Sequence, residues 1–116
     1  MDLNLLFIAL RQEDWRNIAQ ESSLKPTSFE YADGYIRSFA GNKAEDIINH
    51  YFDKSDNVLL LVLDPLRIQS PIKKIKEDGF EFVAIQGEIA IDTIIDKIKL
   101  KSSKDGTFSI NVKHFD

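Results

Sequence analysis

The chain contains no cysteine and only two histidines in 116 residues. Without thiols there can be no disulfide, no thiolate-bound metal and no cysteine nucleophile. The imidazole supply is His50 and His114 alone. Helical spacing sets His50 opposite the apolar stripe of its own helix, a solvent-facing position. His114 stands close to the chain end, where order is poor. Neither has a Ser, Asp or Glu at a spacing that suggests a triad, and two such histidines do not make a metal site. Long apolar runs are also missing: Val58–Leu63 is far too short to span a bilayer. There is no Gly-x-Gly-x-x-Gly and no phosphate loop; Gly34, Gly41, Gly79, Gly87 and Gly106 are scattered turn glycines. Net charge is −4, and no basic cluster is dense enough to track a phosphate backbone. Lys97, Lys99 and Lys101, like Lys73, Lys74 and Lys76, read as solvated or edge-protecting. Neither a nucleic-acid nor a membrane partner is expected. Met1-Asp2 puts an acid, not a basic segment, before Leu3–Leu10, so no signal peptide is read and the cytoplasm is the expected location.

What remains has the balance of a soluble globular chain, with 43% apolar and 29% charged residues. Residues 1–116 are expected to form a single domain that buries about two-thirds of its unfolded surface. Leu3–Leu10 reads as a buried strand. Glu13–Glu21 reads as a helix, with Glu13 and Asp14 in its first turn and Trp15, Ile18 and Ala19 on its apolar stripe. Ser22-Ser23 end that helix, and Lys25-Pro26-Thr27-Ser28 form a loop. A short strand follows through Ile36-Arg37-Ser38. Lys43–Phe52 reads as a second helix, with Asn42 and Glu45 as a capping-box pair and Ala44, Ile47, Ile48, Tyr51 and Phe52 on one face. Val58–Leu63 ends in the turn signal Asp64-Pro65. Asp78-Gly79 turns into an alternating strand from Phe80 to Ile85. Ile91, Ile94, Ile95 and Ile98 fit a helix stripe as well. The alternation of Ile94, Ile98 and Leu100 favours a turn near Asp92 and then a strand. A hairpin turn over Lys104–Thr107 leads to a last strand, Phe108–Val112.

Several segments together resemble the bacterial domain-of-unknown-function family numbered 952, whose fold is related to ADP-ribosyltransferases. They are Phe7 with Glu13-Asp14-Trp15, Asp33-Gly34-Tyr35-Ile36, Val58 to Ile68, Gly87-Glu88-Ile89-Ala90-Ile91-Asp92-Thr93-Ile94, and Asp105-Gly106-Thr107-Phe108. The resemblance implies an α+β fold: an ADP-ribosyltransferase-like split β-sheet core with two helices packed on it. It also implies three histidines that this chain lacks. Counting back from Trp15 and from Gly87 places the first and third at Ile8 and Ala84, the second falls on Arg37, and the family's tyrosine falls on Gln86. Aliphatic groups at Ile8 and Ala84 neither donate, accept nor titrate. The two are expected on neighbouring strands, packed together as an apolar floor.

Arg37 keeps a charge where an imidazole is implied, and its guanidinium can fork two donors toward a phosphate or carboxylate. The competing reading is a strand-end arginine paired with an acid such as Asp33 or Glu30. Ser38 could donate to the same ligand or cap the turn. Gln86-Gly87-Glu88 spells the Gln-x-Glu that many ADP-ribosyltransferases use, and with Arg37 and Ser38 it imitates their Arg–Ser–Glu set. Chance produces that tripeptide readily in a chain rich in Glu and Gln. Arg37, Ser38, Gln86 and Glu88 are thus the candidate ligand-binding residues, with no catalytic residue, metal or cofactor expected. The leading expectation is a non-catalytic or catalytically altered domain with a pocket for an anionic small molecule or nucleotide. The alternatives are an active transferase using a nicotinamide dinucleotide, and a ligand-free module that binds a protein partner.

Overall fold

The computed structural model describes residues 5–21, 23–25, 34–53, 56–102 and 108. Strand β1 (Leu6–Arg11) runs directly into helix α1 (Gln12–Ile18), followed by the short β2 (Ser23–Leu24). Strand β3 (Ile36–Ala40) runs just as directly into α2 (Gly41–Tyr51). Then come β4 (Val58–Leu63), β5 (Ile72–Glu77), β6 (Phe80–Ile85), β7 (Ile89–Ala90) and β8 (Ile94–Leu100). Single 3₁₀ turns over Pro65–Arg67 and Ile91–Thr93 connect β4 to β5 and β7 to β8.

Six strands form one sheet in the order β5-β6-β3-β1-β4-β8, each neighbouring pair antiparallel. The expected α+β architecture, a mostly antiparallel sheet with two helices, is therefore observed. β3 is shared unequally. Its first half, Ile36–Ser38, pairs with β6, and its last two residues, Phe39 and Ala40, pair with β1. The β5–β6 hairpin thus joins the β1-β4-β8 half through this one strand.

Alternation gives the sheet two apolar faces. Leu6, Ile8, Leu10, Ile36, Leu59, Leu61, Leu63 and Ile85 face Ile18 and Trp15 of α1. Phe7, Phe39, Leu60, Val62 and Phe82 face Ala44, Ile47 and Ile48 of α2. All six residues of β4 are buried, as expected of a central strand covered on both sides. Asn49 exchanges two bonds with the Phe108 backbone, at 2.9 and 2.7 Å, which fastens that phenyl into the α2 face.

The structure corrects several expectations. Helix α1 stops at Ile18; the chain turns there, and Ser23 and Leu24 pair with Ala90 and Ile89 instead of extending it. The capping box is not formed. Because Phe39 and Ala40 are still pairing with β1, the helix starts at Gly41 with Ala40 as its cap residue, and no side chain caps it. Asn42 lies inside the first turn. Ile8 and Ala84 are both buried, but they do not form a common floor. β3 separates their strands, and Ala84 pairs with Arg37 on the α2 face while Ile8 packs on the α1 face. The strand β5 was not foreseen; its Lys73, Lys74 and Lys76 are exposed at a sheet edge, the edge-protecting reading. The Asp78-Gly79 turn is as expected, with both residues at positive φ, 52° and 85°. The turn near Asp92 and the strand after it are also as read. The hairpin over Lys104–Thr107, the strand beyond Phe108, and His114 lie outside the described residues.

One buried group is unsatisfied. Among the described residues, the Thr93 hydroxyl is sealed from solvent without a hydrogen-bond partner. Thr93→Val, nearly the same shape, removes that hydroxyl. The expected result is an unfolding free energy raised by about 1–2 kcal/mol, read by urea denaturation.

Candidate functional site

Arg37 and Phe39 point to the α2 side of β3, whereas Ile36 and Ser38 point to the α1 side. The Arg37 side chain, 17% exposed, extends toward the β5–β6 hairpin and meets Glu77. Nε donates to Oε1 at 2.7 Å and Nη2 to Oε2 at 3.1 Å, a two-pronged pair. The guanidinium carbon lies 4.8 Å from the centre of the Tyr35 ring, and Nη2 donates to the Tyr35 hydroxyl at 3.4 Å. Among the described residues, the acid paired with Arg37 is Glu77, forty positions away; Asp33 and Glu30, the acids considered from the sequence, lie outside the described residues.

The same corner holds Tyr51, at the end of α2. Its hydroxyl donates to Asp78 at 2.6 Å, and its ring packs near Phe80 and Phe82. His50 is exposed, as expected, with its ring 5.0 Å from that of Phe80. Desolvation of the Tyr51 phenol, its bond to Asp78 and the charges of Asp78 and Glu77 raise its pKa to about 12, against an opposing push from Arg37. The folded value lies above the ordinary 10.0. Its contribution to stability is thus complete below about pH 10 and fades as pH climbs through about 12. Tyrosinate absorbance should show this phenol titrating near 12 in the folded protein, and earlier in Asp78→Asn.

The four candidate residues are not gathered in one place. Ser38 is fully buried on the α1 side, donating to the Val83 carbonyl at 2.7 Å. Gln86 and Glu88 follow the end of β6 opposite the hairpin toward which Arg37 reaches. Gln86 donates its backbone N–H to Pro71 at 2.7 Å. The Glu88 carboxylate accepts from Ser23 at 3.2 Å, and its carbonyl accepts from Ser70 at 2.8 Å. Gly87 between them is held at φ +154°, with space for a Cβ taken by the Ser70 hydroxyl at 2.7 Å. This segment ties β7 and β2 to the strand connection; it does not face Arg37. Sequence reasoning missed Glu77, Tyr35 and Tyr51 as companions of Arg37. The only local signal was the position of Glu77 immediately before the Asp78-Gly79 turn. Among the described residues, no group of three His, Asp or Glu side chains converges as a metal site. No helix among them is long and apolar enough to cross a membrane.

The fold and this corner define a small α+β domain with an antiparallel sheet between two helices. Two crystal structures of the Caulobacter crescentus protein CC0527, one of a double mutant, superpose on it with TM-score 0.77 at 19% identity, over 90% of this chain and 93% of that one. A solution structure of the same protein gives 0.69 at 20% identity, over 89% and 90%. At this identity the likeness shows the fold. The family described as a protein of unknown function, DUF952, matches residues 9–97, and the chain belongs to it. No curated protein matches.

Proposed function

We propose that this domain is a non-catalytic or catalytically altered member of its family that binds an anionic small molecule or nucleotide, with Arg37 as the anion contact. The observation that carries the reading is the Arg37–Glu77 fork. The guanidinium is largely shielded and oriented by Tyr35, while Glu77, its carboxylate partner, is 38% exposed and able to give way. A phosphate or carboxylate fits the donors that Glu77 now occupies. Glu77 acts as a resident competitor that keeps the charge paired when no ligand is bound. We further propose an ADP-ribosyltransferase-like split sheet. Support comes from the way β3 alone joins the two halves.

The pseudoenzyme reading is favoured over an active transferase because Arg37, Ser38 and Glu88 occupy different faces and ends of the sheet. Transferase chemistry needs a carboxylate aimed at the charge that develops on the nicotinamide ribose. The Glu88 carboxylate is engaged by Ser23. Incubation with a nicotinamide dinucleotide is the test, with wild type and Glu88→Gln compared against a heat-killed control. The expected result is no nicotinamide release from either. Release by wild type that collapses in Glu88→Gln overturns the reading in favour of the transferase.

A further inference from the structure

On the other side of the sheet, away from Arg37, a cavity of about 260 Å³ opens between α1 and β8. Trp15, Ile91, Ile94, Ile95, Asp96 and Lys97 line it. Four of these are consecutive, where strict alternation would offer one face only every second residue. The cause is visible in the pairing. Leu63 registers with Ile94 and Val62 with Asp96, leaving Ile95 as the extra residue of a bulge. Bulges re-aim side chains, and here an isoleucine remains 48% exposed beside a half-buried tryptophan.

The polar groups specify what the cavity suits. Lys97 carries its ammonium over the indole, 5.5 Å from the ring centre. The Asp96 carboxylate accepts from the Lys97 backbone N–H at 2.8 Å, so it is held by its own strand. The groove therefore offers an aromatic face, an isoleucine floor and one cation, Lys97, on a four-carbon stem, with the Asp96 carboxylate turned to its own backbone. Its volume lies just below the roughly 300–1,000 Å³ of sites for drug-sized ligands, a size that suits a single ring.

We infer that this groove is a binding site for a small aromatic carboxylate. The ligand ring replaces the lysine on the Trp15 face, and the displaced Lys97 ammonium pairs with the carboxylate. The site is independent of the Arg37 corner, being on the opposite face of the sheet.

Trp15 is the only tryptophan in the chain, so its emission reports this groove alone. Phenylacetate is the probe, its neutral amide the control, and wild type, Lys97→Met and Arg37→Ala the proteins. The expected result is a saturable change in Trp15 emission with phenylacetate. Affinity should fall at least about tenfold for the amide and for Lys97→Met, because both remove the charge pair. Arg37→Ala should titrate like wild type. Lys97 is exposed, so its variant should fold, and its melting curve checks this. No saturable change in wild type, or equal affinity for acid and amide, overturns the inference. So does an unchanged affinity in folded Lys97→Met.

Discussion

Ile8→His is expected to lower the unfolding free energy by about 2.5–6 kcal/mol. Ile8 is 1% exposed and packs among Leu6, Leu10, Ile18 and Leu61 on the α1 face of the sheet. Replacement removes an apolar side chain whose burial contributes about 1.5–3 kcal/mol. It also places an imidazole among side chains that offer it no hydrogen-bond partner, at a further cost of about 1–3 kcal/mol. Its cost measures how strongly the surrounding core favours an aliphatic group at this position. Guanidinium denaturation followed by circular dichroism is the measurement. A change under about 1 kcal/mol would mean that the site accommodates a polar ring, and the apolar account of this face would fail.

The second large effect concerns binding. Arg37→Ala should weaken an anionic ligand such as ADP-ribose by about 1.5–3 kcal/mol, roughly ten- to 150-fold, because a charge-assisted pair is lost. Stability should change by under about 1 kcal/mol. The Glu77 carboxylate left behind is 38% exposed and can be hydrated by solvent. The contrast between a large binding effect and a small folding effect separates a ligand-contacting arginine from a structural one.

Much of the fold was legible in the sequence because its strands are strongly patterned. β4 is a continuous apolar run, β6 alternates after an Asp-Gly turn, and α2 carries a helical stripe. β5 was not legible. Four of its six residues are charged, and an edge strand needs no apolar period to pair. The faces of Ile8 and Ala84 could not be read either, because they depend on strand order. β3 lies between β1 and β6, and the two side chains also point to opposite faces of the sheet. Arg37 itself stood out because the sequence resemblance implies a histidine at that position. Its partner did not, because Glu77 is forty residues away and reaches Arg37 only through the hairpin. Ser38 beside Arg37 illustrates the same limit: adjacency along a strand puts two side chains on opposite faces, not in one pocket.

The claim that Arg37 is an anion site held by an internal competitor is tested most directly with Glu77→Gln. The substitution keeps the shape and one acceptor but removes the charge that now occupies the guanidinium. Calorimetric titration with ADP-ribose, and separately with inorganic phosphate, compares this variant with wild type and Arg37→Ala. The account predicts tighter binding in Glu77→Gln than in wild type, and weaker binding in Arg37→Ala. Equal affinities across all three proteins, or no binding by any of them, would contradict it and leave Arg37–Glu77 as a purely structural ion pair.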